Sequence, residues 1–380
     1  MIRLLRKAGA EVQVTTTKNA LEFVTCLTLQ TLSGHKVYSD VFASINEHST
    51  EHISLPDWAD MMLIAPATAD VVCKLAAGIA DDALTTTAAA MRKPIVVAPA
   101  MNDKMYASPA TQSAIGVLQS RENMLVLDCA EGELACGTSG KGRMQEVGTL
   151  LAAIEYILTP KTLAGKHVVI TAGPTEEYID PVRYISNASS GKMGYALAKS
   201  CLRRGARVTL VSGPTALDMR AWQAFAPIEM VPVVSASEMC EETVKAFAQA
   251  DIGVLCAAVA DFTPRDKACQ KIKKQTGQTE MTLTLGLTTD IAARLGQMKR
   301  GGQQLIGFAL ETENEEENAL RKLHSKGLDM IVLNSLRDAH AGFGVDTNKV
   351  TLLHSDGRRE DVPLCSKEEV AERIITACAV

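Results

Sequence analysis

Residues 173–194 read GPTEEYIDPVRYISNASSGKMG, and what flanks them decides the fold. The apolar run VVIT at 168–171 leads in through Gly173 and Pro174, and Met193, Leu197, Cys201 and Leu202 then recur at helical spacing. Between these lie small and polar residues: Thr175, Arg183, Asn187, Ser189, Ser190 and Gly191. A strand that turns through a polar loop into a helix presents backbone N–H groups and the positive end of the helix dipole to that loop. Such a turn is a natural anion site.

The same alternation extends in both directions. Downstream, strands are expected at 207–211, 252–256, 305–308 and 330–333, with helices at 192–204, 236–248, 290–297 and 313–325. A hairpin pairing 349–353 with 360–363 across Asp356-Gly357 and a helix from Ser366 close the chain. Upstream, helices at 20–33, 69–77 and 147–158 accompany strands at 61–65, 95–98 and 125–127. Short apolar strands alternating with helices indicate α/β domains whose parallel sheets are covered on both faces. At the start, Ile2, Leu4, Leu5 and Ala8 mark a helix closed by Gly9, and 11–15 reads as a strand. A doubly wound domain ordinarily has a strand and a glycine-rich phosphate loop before such a helix, and neither precedes it here. A misplaced start codon, a shortened chain and loss of part of a site are the alternatives. Residues 159–166, beginning Thr159-Pro160-Lys161, bridge two expected domains, 1–158 and 167–380.

Bulk properties narrow the function. A chain of 380 residues exceeds what one core serves, and 47% hydrophobic with 22% charged residues is ordinary for a globular protein. A formal net charge of −5 argues against general affinity for nucleic acid or anionic membranes, so anionic substrates require local basic clusters. No apolar run reaches membrane-spanning length, and MIRLLRKAGAEV lacks the apolar core of a signal peptide. The ten cysteines form neither a C-x-x-C pair nor a zinc spacing, which fits reduced thiols in the cytoplasm.

Several motifs stand where chemistry could occur, and each has a plainer reading. His52 lies in Glu51-His52-Ile53 ahead of Trp58-Ala59-Asp60; a lone histidine is more often structural or solvent-facing. Pro66, Ala67 and Thr68 turn a strand end into a helix, a place where ligands bind in open sheets, although Thr68 also reads as a helix cap. Met101 and Asn102 in Pro99-Ala100-Met101-Asn102 follow a strand too, and a turn asparagine is the alternative. Cys136 lies in ACGTSGKGRM, whose small residues favour a flap over the buried small hydrophobe that cysteine often is. Lys271-Ile272-Lys273-Lys274 and the pair Lys322 and Lys326 could meet phosphates or serve as solvated surface charge. A generic dinucleotide fingerprint is missing, because Gly140-x-Gly142 fails at Gln145, and Ser190-Gly191-Lys192 followed by Met193 is no Walker A.

Residues 173–194 closely resemble the nucleotide-binding loop of the ligase half of the bifunctional coenzyme A biosynthesis family. There a phosphopantothenate–cysteine ligase follows a flavin-dependent phosphopantothenoylcysteine decarboxylase. AAVADF at 257–262, KIKK at 271–274, Ile306-Gly307-Phe308 with Glu311-Thr312, and Lys322 through Lys326 match the ligase, while Pro-Ala-Met-Asn and the flap match the decarboxylases. The resemblance implies a flavodoxin-like domain followed by a Rossmann-like one. It implies that Thr17, Pro66, Ala67, Thr68 and Met101 border FMN, that His52 activates the substrate, that Asn102 binds the departing carboxylate, and that Cys136 supplies a proton. For the ligase it implies that Asp261, Thr288, Thr289, Asp290, Ile291 and Phe308 form the CTP pocket. Lys271 then stabilises charge during activation, Lys322 and Lys326 hold the triphosphate, and Asn187 serves the acyl-cytidylate step. Gly173, Arg183, Ser189, Ser190 and Gly191 form the loop around nucleotide and phosphopantothenate. Thr288-Thr289-Asp290-Ile291 replaces a family Asn-Pro-Asp-Ile, so the proline that would stiffen this turn is absent.

The chemistry explains these residue types. A carboxylate is inert to an amine until activated, and attack on the α-phosphate of CTP gives an acyl-cytidylate that cysteine can open; cations and donors must hold the charge. A cysteine-derived carboxylate has no adjacent electron sink, and FMN supplies one by oxidising the thiol. Mg²⁺ would accompany CTP, although no dedicated metal motif is visible. Small-molecule substrates, no nucleic acid or membrane, and a homo-oligomer are expected. The competing expectation is an active ligase whose flavoprotein-like half serves only assembly or regulation.

Overall fold

The computed structural model describes residues 1–42, 50–133, 137, 139–274, 276, 279–311, 313–335 and 344–378. The chain forms two compact units: Met1–Thr159 with Arg220–Phe225, and Pro160–Met219 with Ala226–Val380.

The first unit runs α1 (Ile2–Lys7), α2 (Cys26–Ser33), α3 (Glu51–Trp58), β1 (Met62–Ala67), α4 (Ala69–Ala77), α5 (Ala83–Ala90) and β2 (Ile95–Pro99). It continues through α6 (Asp103–Tyr106), α7 (Pro109–Gln119), β3 (Met124–Val126), the hairpin β4 (Ala130–Glu133) and β5 (Ser139–Arg143), and α8 (Val147–Leu158). β1, β2 and β3 pair in parallel in that order. Alternate side chains serve opposite faces. Ile64, Ile95, Val97 and Val126 pack with Val71, Leu75, Ile115 and Leu118 of α4 and α7, whereas Val96, Ala98 and Leu127 pack with Leu150 and Ala153 of α8. Near-continuous apolar strands follow from that double coverage. α4 begins where expected because Thr68 is extended and its hydroxyl accepts the Val71 N–H at 3.4 Å, and it ends at left-handed Gly78.

The start of this unit departs from expectation. The helix expected over 20–33 is divided into a 3₁₀ turn, Asn19–Glu22, and α2, because Thr25 adopts an extended conformation and caps α2 through Thr28 N–H. The strand expected at 11–15 reduces to an isolated bridge between Thr15 and Tyr38.

The second unit opens with β6 (His167–Ala172), the hairpin β7 (Glu176–Tyr178) and β8 (Tyr184–Ser186), α9 (Lys192–Arg203) and β9 (Arg207–Ser212). After α10 (Arg220–Gln223), which belongs to the first unit, come β10 (Ile228–Pro232), α11 (Ala236–Phe247), β11 (Ile252–Leu255), β12 (Phe262–Pro264) and β13 (Leu285–Leu287). The chain finishes with α12 (Ile291–Met298), β14 (Gln304–Glu311), α13 (Glu315–Ser325), β15 (Met330–Ser335), β16 (Thr347–His354), β17 (Arg359–Ser366) and α14 (Lys367–Cys378). The sheet order is β10-β9-β6-β11-β14-β15-β16-β17, parallel up to β15 and antiparallel for the last two strands. This is the doubly wound order of a dinucleotide-type fold, with its reversal between β6 and β11. One face carries α11, α12 and α13, whose Met239, Phe247, Leu295 and Leu323 bury against Val169, Leu305 and Ile331. α9 packs the other face, burying Leu197, Cys201 and Leu202.

His167 opens β6 with its ring buried. Arg207 Nη2 lies 2.9 Å from Nδ1, the Gln249 carbonyl 3.3 Å from the same nitrogen, and Thr209 Oγ1 2.9 Å from Nε2. Burial, together with the Arg207 charge, lowers its pKa below the usual 6.5. The unfolded chain therefore takes up a proton that the folded chain refuses, and stability falls as pH drops below about 6.5 and levels off once the folded-state pKa is passed. Urea titrations of the second unit between pH 7.5 and 5 should show this loss, and His167→Gln should flatten the slope. An equal slope in the variant would contradict the assignment.

Candidate functional site

At the β6/β11 reversal the outgoing loops meet. Pro174 bridges Ala258, and the Ala258 N–H donates to Gly173 C=O at 2.9 Å. The Ala260 N–H donates to the fully buried Thr175 hydroxyl at 3.0 Å. Asn187 Nδ2 then reaches Ala258 C=O at 3.1 Å and Val259 C=O at 3.0 Å, binding the long polar loop to the one after β11. Thr288 joins the same cluster: its hydroxyl donates to Ala260 C=O at 2.7 Å and its N–H to Asp261 C=O at 2.9 Å. The structure thus brings Gly173, Asn187, Asp261 and Thr288 together. Asp261 and Thr289 side chains are exposed, and Phe308 is half-buried on β14.

The helix start is built for close approach. Gly191 caps α9 in the left-handed region, φ 77°, with no side-chain cap bond, and its N–H donates to Ser189 Oγ at 3.3 Å. Thr215 Oγ1 donates to Ser190 C=O at 3.1 Å. Gly213, after β9, lies so near that an added Cβ would stand 1.7 Å from Pro174 O.

Among the expected charged residues, Lys322, Lys326, Asp290 and Arg183 each have a partner. Lys322 Nζ lies 2.6 Å from Glu311 at the end of β14, and Lys326, which caps the C-terminus of α13, lies 2.9 Å from Asp290. Burial alone would raise the Asp290 pKa, but the Ala293 N–H and the Lys326 ammonium hold it below the ordinary carboxylate value. Ile291 points into the core. Arg183 pairs with buried Asp180, and its Nη2 also donates to Ile272 C=O at 3.0 Å, beside exposed Lys271.

In the first unit the expected residues occupy strand ends. Pro66 and Thr68 are exposed at the carboxyl end of β1, and Ala67 is buried. Past β2, Met101 donates its N–H to Gly142 C=O at 2.9 Å, and Asn102 caps α6 by accepting Lys104 N–H at 3.0 Å. Tyr106 and Lys141 both bond Asp128. Burial lifts the Asp128 carboxyl, yet these two donors, Lys141 foremost, bring it below its ordinary value. The hydroxyl of Thr17 accepts the Ala20 N–H at 3.2 Å, and His52 is half-buried in the first turn of α3. Cys136 lies outside the described residues. Sequence reading missed Asp128 and Asp180; Asp180 near Arg183 is too common a loop pattern to single out, and Asp128 meets Lys141 only through the fold, 13 residues on.

The family model for the DNA/pantothenate metabolism flavoprotein C-terminal domain matches residues 163–380, and the flavoprotein model matches residues 1–159. The chain is 47% identical over 378 residues to the coenzyme A biosynthesis bifunctional protein CoaBC of Bacillus subtilis (strain 168), covering 99% of this chain and 91% of that protein. It is 46% identical over 357 residues to a cysteine/cysteine sulfinic acid decarboxylase from an unknown prokaryotic organism, covering 93% of this chain and 98% of that one. A crystal structure of the C-terminal domain of a coenzyme A biosynthesis bifunctional protein CoaBC overlays with TM-score 0.48 at 41% identity, covering 58% of this chain and 96% of that chain.

Because the obstruction at Gly213 is backbone, Gly213→Ala should destabilise the second unit by about 2–3 kcal/mol in denaturant titrations. Gly301→Ala, where an added Cβ meets nothing within 4 Å, should cost far less. Equal effects would refute the close packing at the crevice.

Proposed function

The chain belongs to the bifunctional coenzyme A biosynthesis family, and from that premise we propose where each half of its chemistry resides. It is an enzyme of coenzyme A biosynthesis with ligase and decarboxylase activities, built on a flavoprotein domain and a DNA/pantothenate metabolism flavoprotein C-terminal domain. The ligase reading assigns residues 167–380 the joining of 4′-phosphopantothenate to cysteine with CTP, and the decarboxylase reading assigns 1–158 the loss of CO₂ from the product.

The observation that carries the ligase assignment is the joining of two loops by Asn187 at the sheet reversal, where an open parallel sheet receives ligands. Asn187, with both amide hydrogens committed to carbonyls, keeps its Oδ1 for the acyl-cytidylate step. Asp261, Phe308 and the 288–291 turn would hold the cytidine. Lys322 and Lys326 already meet carboxylates, so a triphosphate would displace Glu311 and Asp290 rather than fill a bare cationic site. Lys271 would offset the negative charge that builds on the α-phosphate as the substrate carboxylate attacks and pyrophosphate leaves. Gly173, Arg183, Ser189, Ser190 and Gly191 would shape the loop around the phosphates. Mg²⁺ would be held chiefly by the phosphates; among the described residues, no group of three His, Cys, Asp or Glu side chains could hold a metal ion.

For the decarboxylase, FMN is the flavin proposed, bordered by Thr17, Pro66, Ala67, Thr68 and Met101. The donors suit it. Thr68 offers an exposed hydroxyl at a helix start, and Thr16, next to Thr17, has a buried hydroxyl without a hydrogen-bond partner among the described residues, a defect worth about 1–3 kcal/mol that a ligand oxygen would repair. FMN supplies the oxidation that makes the substrate thiol an electron sink. Around it, His52 would orient the substrate, Asn102 would hold the carboxylate until CO₂ departs, and Cys136 would return a proton to the product.

The reading places the enzyme in the cytoplasm as a homo-oligomer. Among the described residues no helix is long and apolar enough to cross a membrane. Phe23, Phe42 and Leu287, 93%, 96% and 79% exposed, are apolar surface that a second copy would cover.

Two variants separate the halves. Lys271→Gln should lower CTP-dependent ligation by about 10²–10³-fold while CO₂ release from 4′-phosphopantothenoylcysteine is unchanged. Cys136→Ser should do the converse, with FMN absorbance retained after desalting. Loss of both activities in either variant would contradict the division.

A further inference from the structure

Asp180 lies at the turn of the β7–β8 hairpin and is 2% exposed. Its Oδ1 accepts the N–H groups of Val182 at 2.8 Å and Arg183 at 2.9 Å. Its Oδ2 accepts Arg183 Nε at 3.0 Å, Arg183 Nη2, and the Ile272 N–H at 3.1 Å. Arg183 Nη2 closes the ring by donating to Ile272 C=O at 3.0 Å. The carboxylate is held well below its usual pKa, first by the Arg183 side chain and then, against the cost of burial, by these backbone donors.

The hairpin is itself anchored. Glu177 Oε1 accepts the Ala236 N–H of α11 at 2.7 Å, and Ile179 C=O accepts the Ala268 N–H at 2.9 Å. By contrast, the described residues between β12 and β13 form neither helix nor strand. We propose that Asp180, with Arg183, is a positioning residue for Lys271 in the ligase step, a role that rests on Lys271 being the activating cation. The peptide group is planar, so fixing the Ile272 N–H also fixes the carbonyl of Lys271, and fixing the Ile272 carbonyl orients the next plane. Lys271 thus projects from a backbone held on its C-terminal side at both polar atoms of one residue, on a segment with no ladder to hold it. Fewer torsions remain to be ordered when the triphosphate arrives, and pre-ordering of this kind acts on rate more than on ground-state binding.

The test is a double-mutant cycle with a structural readout. Asp180→Asn turns an acceptor of Arg183 and Ile272 into a group that also donates. It should lower ligase kcat by about 10–100-fold with KM for CTP within about twofold, and speed exchange of the Ile272 amide by about tenfold or more. In the Lys271→Gln background the same change should cost little further. An equal loss of kcat in both backgrounds, or an unchanged kcat despite faster Ile272 exchange, overturns the positioning role. If Lys271→Gln ligates at the wild-type rate, the Lys271 assignment itself fails and the positioning role with it. Should Asp180→Asn not fold, Asp180→Glu, which keeps the charge but shifts it, takes its place: a lowered kcat at held KM for CTP with faster Ile272 exchange upholds the positioning role, and a wild-type kcat despite faster exchange overturns it.

Discussion

Parallel pairing of β6 with β11 is the constraint on which the ligase half depends. α9, which follows β6, and α12, which follows β11, cover opposite faces of the sheet, so the chain leaves β6 and β11 in diverging directions. No crossover helix fills the gap between them. Loops must close it, and their backbone groups need partners that strands would otherwise provide. Thr171, Thr175, Asn187 and Thr288 supply those partners, each bonding a backbone atom of residues 257–260. Polar residues that look like loop filler are what let this crevice be both open and rigid.

The lysines of α13 are held in ion pairs. Lys322 with Glu311 and Lys326 with Asp290 are partly exposed pairs, and pairs of this kind contribute little to stability. Their carboxylates hold the two ammonium groups at the end of β14 and at the start of α12. Asp180 is a different case. It is buried and saturated by donors, and losing its partner would leave a buried charge, so it acts as scaffold.

Much of this was legible in the sequence. Helices at 69–77 and 147–158 were found to the residue, the first because Thr68 and Gly78 mark its ends, and all five second-unit strands expected from apolar runs are present. Other elements were hidden for identifiable reasons. α3 contains Pro56, α5 is a run of alanine and threonine with little apolar periodicity, and β7 and β8 are three-residue strands in a polar loop. The β10 edge strand, IEMVP, is half-buried and short. At the candidate site, the residue types were readable by resemblance, but their partners were not. Glu311 meets Lys322 across 11 residues, and Asp180 meets the Ile272 amide across 92, contacts that only the fold creates.

The central claim is that one chain both makes and decarboxylates the same intermediate. The direct measurement supplies 4′-phosphopantothenate, CTP, Mg²⁺ and cysteine labelled at its carboxyl carbon to the FMN-loaded protein, and counts CMP and labelled CO₂ at completion. The account predicts one CO₂ for each CMP. CMP accumulating with unlabelled headspace, and the label retained in 4′-phosphopantothenoylcysteine, would contradict it.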